Sequence, residues 1–585
     1  MTRLKTTVAL AGVLSLVMPV AAAAQAAGVV RGDVGARVDR YLARLVPYGF
    51  SGAVLVAKDG VIVLQKGYGL ANRETGQRYT ADMVSSIGSI TKQFTAAAVL
   101  RLEMDGKLKV SDPIARHLPG VPEDKADITI HHLLTHTAGF SGDLGGADTE
   151  PIARDALVAK VLAAPLASKP GERFEYSNEG FSLAGAIVER VSGVDYEAYL
   201  HEHLFLPAGM RDTGYLLPAW PVERMPLGYG QEGKPWGRVY RNRWLPDGPG
   251  WYLRANGGIH STVADLYRWH LALEAGKVLS AEAVQVLQTG HVPSAGGERY
   301  GYGWGVGTTR RGTRVVSHNG GNGFLFSDFR RYLDERVVIV AMSNQPSIPA
   351  TQLAPRQLEA LVFDDEKVVM PPDGVGVPGE RREAHAGRYA LSDGRAVTVR
   401  AAGEGLVAES DDPFLLGVFD RMTPPGGRFA QQESRSIQVL EAAAKDDFKP
   451  LFEAFSDERP FEVVQANQRR FWSGWRGNFG DFRRLEVLGT SLQSGDPAVA
   501  VRLHFERGGP ILQLVWGPRR LAGFRVIPKI PPVRLAADSA DTWVYFSYRA
   551  PALVRFTFAD DGTLTLETAS GTLVGKRVAT AAVAR

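Results

Sequence analysis

Ser85-Ser86-Ile87-Gly88-Ser89-Ile90-Thr91-Lys92-Gln93-Phe94 is the stretch from which the rest of the chain can be read. A helix is expected to begin near Ser89 and run to Met104, where Asp105-Gly106 stops it. Ile90, Phe94, Ala97, Ala98 and Leu102 recur at helical spacing and predict a buried stripe. Ser89 and Lys92 stand three apart and so share one face of the first turn. That spacing suits a nucleophile and its base. A serine hydroxyl attacks poorly until a neighbour takes its proton. A lysine can take it only if burial or a nearby cation brings its pKa toward neutrality. The helix N-terminus also aims backbone N–H groups at developing negative charge. Taken alone, S-x-x-K is a common chance match, and a serine at a helix start is usually just an N-cap.

Composition narrows the classes. At 585 residues, 45% hydrophobic and 22% charged, the chain is globular and long enough for two or three domains. A net charge of +4 with no basic run gives no footprint for nucleic acid. The absence of cysteine excludes disulfides, a thiol nucleophile, a Cys-ligated metal and a lipidated N-terminal cysteine. Residues 1–27 read as a secretory signal: Arg3 and Lys5, an apolar core from Val8 to Val20, then Ala22-Ala23-Ala24 or Ala24-Gln25-Ala26 for cleavage. The expectation is a bacterial periplasmic or secreted protein with no stable membrane span after cleavage. The alternative is an uncleaved N-terminal anchor.

Two apolar runs, Ser51 to Ala57 and Val61 to Gly67, joined at Lys58-Asp59-Gly60, predict a hairpin after a helix over Ala36 to Val46. His131, His132 and His136 lie close together, but no glutamate sits between them and no thiol or carboxylate ligand is near in sequence. Packing and side-chain hydrogen bonding are expected of them, not zinc. Tyr176-Ser177-Asn178 follows a Pro170-Gly171 turn and enters a helix through Phe181, Leu183, Ala184, Ile187 and Val188. A phenol beside an ammonium can shuttle a proton, and a carboxamide can hold both a substrate carbonyl and a lysine. The plainer role for Asn178 is the helix N-cap. His318-Asn319-Gly320-Gly321 ends a strand begun at Val315-Val316. Its glycines permit close backbone approach and can serve as oxyanion donors, or can simply make a turn. A strand over Val337 to Asn344 and a helix over Thr351 to Phe363, restricted by Pro355 in its first turn, complete this region.

S-x-x-K, then Y-x-N, then a strand ending H-x-G, in that order, resembles the serine β-lactamase-like superfamily. It is most similar to the class C branch, with its D-alanyl-D-alanine carboxypeptidases, D-aminopeptidases and esterases. The likeness extends to Gly52–Gly69, His131–Gly139, Leu206–Thr213, Ala255–Thr262 and Tyr302–Gly305. It covers about residues 35–365. It implies an α/β fold, an antiparallel sheet flanked by helices plus a helical lobe, with the active site between them. It also implies Ser89 as the acylated nucleophile, Lys92 and Tyr176 as the acid–base pair, and Asn178 as the group orienting the substrate. Substrate would also meet His318, Gly320 and Gly321, with the N–H groups of Ser89 and Gly321 forming the oxyanion hole. Many relatives carry lysine where His318 stands. An ordinary histidine is mostly uncharged at neutral pH, which weakens carboxylate recognition unless an arginine helps, and Arg254 is a candidate by position. No cofactor and no metal is implied. The substrate is expected to be a small molecule or a peptide, cell-wall peptides included.

Other hydrolase signatures are missing: Gly180 to Gly185 misses G-x-S-x-G by one residue, and neither H-E-x-x-H nor a Walker-type motif occurs.

After a linker at 366–380, marked by Pro371-Pro372-Asp373-Gly374 and Pro378-Gly379, short strands over 381–440 suggest a small β-rich domain. Residues 441–585 suggest an α+β unit with a weak likeness to the NTF2-type cone, followed by terminal strands. The Phe471-Trp472-Trp475-Phe479 cluster is expected in a core or interface more than in a glycan site. The leading expectation is an exported serine hydrolase acting on amide or ester bonds, most of all D-residue or cell-wall-type peptides. An esterase or weak β-lactamase of the same fold is the neighbouring reading. A catalytically idle cell-wall-peptide sensor and an interaction protein built on the C-terminal half are the readings from other classes.

Overall fold

The computed structural model describes residues 28–578 except 141–147, 231–232, 239–243, 295–297, 365–367, 411–421, 424, 456–460, 494–495, 518–519, 528–531, 549–552 and 569–570. The signal expected at 1–27 lies outside the described residues. Nine antiparallel strands form the first sheet. Their order is Val29–Val30, Val61–Tyr68, Gly52–Lys58, Val337–Ser343, Phe326–Tyr332, Arg314–Gly321, Gly305–Thr308, Arg299–Tyr300 and Val292–Pro293. The Asp59-Gly60 hairpin takes the positive φ values such a turn requires, 53° and 78°.

Side-chain alternation divides the sheet's two faces. Ala53, Leu55, Val338, Val340 and Met342 join a core shared with the Thr91–Met104 and Val263–Glu274 helices. Val54, Val56, Val337, Ile339 and Ala341 join another beneath the Gly32–Leu45 helix and the 350–363 segment. In that segment Pro355 sits in a π turn, Ala354–Leu358, between two short α-helical pieces. A proline supplies no N–H to an α-helical ladder, and one wider turn absorbs the break. The Thr91–Met104 helix buries more than a stripe: every residue from Thr91 to Leu100 is buried. It is a central helix, covered on all sides.

The 387–409 strands close with the chain's last strands into one eight-stranded barrel. Gly387–Leu391, Ala396–Ala402 and Gly405–Glu409 are followed by Val533–Ala537, Thr542–Phe546, Leu553–Phe558, Thr563–Thr568 and Gly571–Val578. The strands within 381–440 and the terminal strands, read from sequence as separate, therefore share one sheet. Closure removes both sheet edges, which a lone three-stranded piece would leave open. Between them stand the Ala430–Ala444, Lys449–Ala454 and Phe461–Phe479 helices and a four-stranded sheet over 482–527. Trp472 is buried in this unit's core, with Trp475 and Phe479 packed against it, while Phe471 is 49% exposed. Three of the four aromatics thus serve packing.

Candidate active site

A 3-10 turn, Gly88–Ile90, delivers Ser89 to the start of the Thr91–Met104 helix. Gly88 takes φ +51°, and a Cβ on it would come within 2.5 Å of Gly321 N. A Cβ on Gly320 would lie 2.0 Å from Ile87 O and 2.6 Å from Ser89 N. Only glycine at both positions lets the Arg314–Gly321 strand lie directly against the Ser89 turn. The backbone N–H groups of Ser89 and Gly321 are thereby neighbours. On the other side, Gly303 (φ +76°) brings its backbone against Lys92, where a Cβ would lie 2.7 Å from Lys92 C.

Lys92 is fully buried. Its Nζ donates to Ser89 Oγ at 3.0 Å, Asn178 Oδ1 at 2.8 Å and the Asn256 carbonyl at 2.8 Å. Burial lowers its pKa to about 7, while the Asp148 and Glu179 carboxylates pull the other way. The amine therefore titrates near neutrality with its three donor positions already directed.

The N-cap of the Asn178–Ser192 helix is Ser177, whose hydroxyl accepts from Gly180 N at 3.2 Å. Asn178 is left to hold Lys92 and is not the cap. Tyr176 precedes them. The residue is 39% exposed, and its ring lies under the Lys92 ammonium, 4.9 Å from Nζ to the centroid. Burial of its hydroxyl pushes the pKa up to about 12, although interaction with Ser89 draws it down. At neutral pH it is a phenol and so a proton donor.

His318 has both nitrogens occupied. Its Nδ1 lies 2.6 Å from the Asn319 carbonyl and must donate there; Nε2, 2.9 Å from Tyr300 Oη, then accepts from the phenol. Burial first, and then repulsion by Lys92, lowers its pKa to about 4. The ring is neutral across the physiological range. Arg254 does not lend a charge to the cleft: it is buried and paired with Asp247 Oδ2 at 2.7 Å, and it donates to the Pro249 carbonyl. Its position in sequence resembled a carboxylate binder's, but the Asp247 partner comes from a loop that sequence cannot place.

The structure thus brings together Ser89, Lys92, Tyr176, Asn178, His318, Gly320 and Gly321 from three separated segments. Two further participants were not foreseen, and a third, His136, was expected only to pack and hydrogen-bond. Tyr300 donates to His318 Nε2, the Asn256 carbonyl holds Lys92, and His136 touches Tyr176. Tyr300 lies two residues before a quoted motif, and a backbone carbonyl has no sequence signature.

The three neighbouring histidines serve separate hydrogen bonds. His131 Nδ1 meets Tyr302 Oη at 2.7 Å, His132 Nδ1 accepts from Thr129 N at 3.2 Å, and His136 Nδ1 accepts from Ser177 N at 3.0 Å.

The family model for beta-lactamase matches residues 38–362. The chain belongs to the beta-lactamase family. Its members of known kind include a Bacillus subtilis penicillin-binding protein, 28% identical over 398 residues, 63% of this chain and 86% of that one. The Burkholderia gladioli esterase EstB is 31% identical over 293 residues, 44% of this chain and 74% of the esterase. The chain spans 62% of the length of the first curated relative it matches. The octameric penicillin-binding protein homologue from Pyrococcus abyssi aligns with 93% of this chain and all of its own, at TM-score 0.50 and 21% identity, a likeness of fold. This beta-lactamase-family chain accordingly has the serine β-lactamase fold. Among its described residues no helix is long and apolar enough to cross a membrane.

Proposed function

We propose that the protein is an exported serine hydrolase that works through an acyl-enzyme on Ser89, cleaving amides or esters that carry no carboxylate beside the scissile bond. The observation that carries this reading is the Lys92 amine, buried and 3.0 Å from Ser89 Oγ. As neutral amine, Lys92 takes the hydroxyl proton while Oγ attacks the substrate carbonyl. The N–H groups of Ser89 and Gly321 receive the oxyanion; such a donor is typically worth about 3 kcal/mol of barrier. Tyr176 gives its proton to the leaving oxygen or nitrogen as that bond breaks, and the Lys92 ammonium returns a proton to the phenolate. Water then attacks the acyl ester, passing its proton through the same pair to Ser89 Oγ. Asn178 orients Lys92 and the substrate carbonyl, with Gly320 keeping the strand close.

The neutral His318 and the paired Arg254 turn the substrate choice away from carboxypeptidase or efficient β-lactamase action. Those reactions place a substrate carboxylate near the position of His318. D-residue peptides or amides cleaved from the amino end, cell-wall-type peptides among them, fit better, and simple esters fit equally. The kinship with an esterase and a penicillin-binding protein supports both. Periplasmic or secreted placement rests on residues 1–27.

Intact-mass analysis after a fluorophosphonate and, separately, a penicillin tests the reading. An adduct on Ser89 with the fluorophosphonate, and slow or absent labelling by penicillin, is expected. Ester turnover that survives Ser89→Ala discards the mechanism. Absence of any adduct, with peptide binding retained, would make the idle sensor the correct account.

A further inference from the structure

His136 is 2% exposed and holds a backbone φ of +58°, a left-handed conformation that non-glycine residues seldom adopt. That conformation lets one residue reach both chain neighbours of Tyr176. The His136 carbonyl accepts from Glu175 N at 2.8 Å, and its Nδ1 accepts from Ser177 N at 3.0 Å. The imidazole also lies against the Tyr176 ring, centroids 4.2 Å apart and planes 32° apart. Tyr300 at 4.7 Å, Phe181 at 5.0 Å and Phe174 at 5.6 Å close the nest around it.

We infer that His136 is the positioning residue for Tyr176, fixing the phenol for proton delivery through two bracketing hydrogen bonds and a ring contact. The inference rests on the acid role given to Tyr176 above. Because Nδ1 accepts from an amide, the neutral ring carries its proton on Nε2, which is buried and has no partner among the described residues. Burial, with Lys92 and His318 nearby, holds the imidazole well below its ordinary pKa. The acceptor at Nδ1 is thus kept available. Packing alone does not require it: a phenylalanine or leucine fills an aromatic nest, but neither accepts from Ser177 N. Without that acceptor the Tyr176-Ser177 segment loses its tether, and the phenol drifts from the leaving atom. Placement errors of this kind reduce rate, not binding.

The test uses the full chain and two esters of one acid, a p-nitrophenyl ester and an ethyl ester. A p-nitrophenolate departs without a proton; an ethoxide does not. His136→Leu is expected to lower kcat/KM for the ethyl ester by about 100-fold, the lower end of general-acid contributions. That loss should be at least about ten times larger than for the p-nitrophenyl ester, and it should fall on kcat with KM little changed. His136→Asn should restore the ratio of the two esters, because asparagine tolerates the left-handed backbone and its Oδ1 stands where Nδ1 stood. Equal loss on both esters, or a wild-type ratio in His136→Leu, overturns the inference. If the leucine variant does not fold, His136→Gln replaces it. Its carbonyl reaches the Nε2 position instead, so a ratio equal to that of His136→Asn counts against the claim. Turnover independent of Ser89 would instead defeat the underlying mechanism, a distinct result read in the same assay.

Discussion

Below about pH 7 the Lys92 side chain is an ammonium, held there only against the cost of burial, and it cannot accept the Ser89 proton. Above that value it is the free amine. Ester kcat/KM is therefore expected to rise about tenfold per pH unit up to about 7 and then level. Tyr176, pushed up to about 12, should impose no alkaline fall across the range in which the fold survives. A pH–rate profile checks both limbs. A flat profile between pH 5 and 8 would remove Lys92 from the base role. Lys92→Met should cost about 10³-fold and abolish the acid limb, since general bases contribute in that range. The candidate residues for this chemistry were picked out by the resemblance of their order to a family's. Ser89, Lys92, Tyr176, Asn178 and His318 each stand in a motif whose spacing carries a reason. The neutrality of His318 was foreseen only as the ordinary imidazole's tendency. The Tyr300 hydroxyl that donates to its Nε2 comes from another strand, 18 residues away.

At the scale of elements, the close approach of the Arg314–Gly321 strand to the Ser89 turn depends on two hydrogen atoms standing where Cβ atoms would be. Gly320→Ala places a methyl group 2.0 Å from a backbone oxygen, and backbone must move. The expected result is a fall in kcat/KM of about 100-fold or more, as one oxyanion donor leaves its place, with Ser89 still present to be labelled slowly. Fluorophosphonate labelling rates measure this directly, and an unchanged rate would mean that Gly321 N is not a donor. Ser177→Ala removes the N-cap of the helix that carries Asn178, and about 1 kcal/mol of stability should go with it. Thermal unfolding reads that loss. The N-cap role that was the plainer alternative for Asn178 belongs to Ser177. Serine and asparagine are equally good caps, and only the backbone geometry tells which of two adjacent candidates turns its side chain back onto the helix. The central helix was found by its period, yet its burial on every side was not. Alanine and threonine at the remaining positions are compatible with solvent or core.

At the scale of the molecule, the barrel end and the beta-lactamase-like region share an apolar cluster. Ala536, Phe546 and Tyr548 of the C-terminal part lie in the core built by Tyr41, Leu45, Tyr48 and the 350–363 segment. Tyr48 and Phe546 rings stand 5.6 Å apart, and Tyr548 Oη donates to Gln352 Oε1 at 2.9 Å. Phe546→Ala should cost about 3 kcal/mol, the usual scale for a buried phenylalanine. It should lower the midpoint of the transition that also exposes the Ser89 site. If the beta-lactamase-like region unfolds at an unchanged temperature, the two parts are thermodynamically separate. Sequence by itself determined the local grammar of this protein. The hairpin at Asp59-Gly60 and the Ser89 helix follow from turn chemistry and period, which act over a few residues, while the ordered S-x-x-K, Y-x-N and H-x-G motifs were legible through their resemblance to a family. Tertiary structure alone decided the rest. It closed 387–409 with 533–578 into a barrel, paired Arg254 with Asp247, placed a carbonyl at Asn256 on Lys92 and set His136 across Tyr176. Each of these joins residues whose partnership depends on distance in space, and no local preference in the chain encodes that distance.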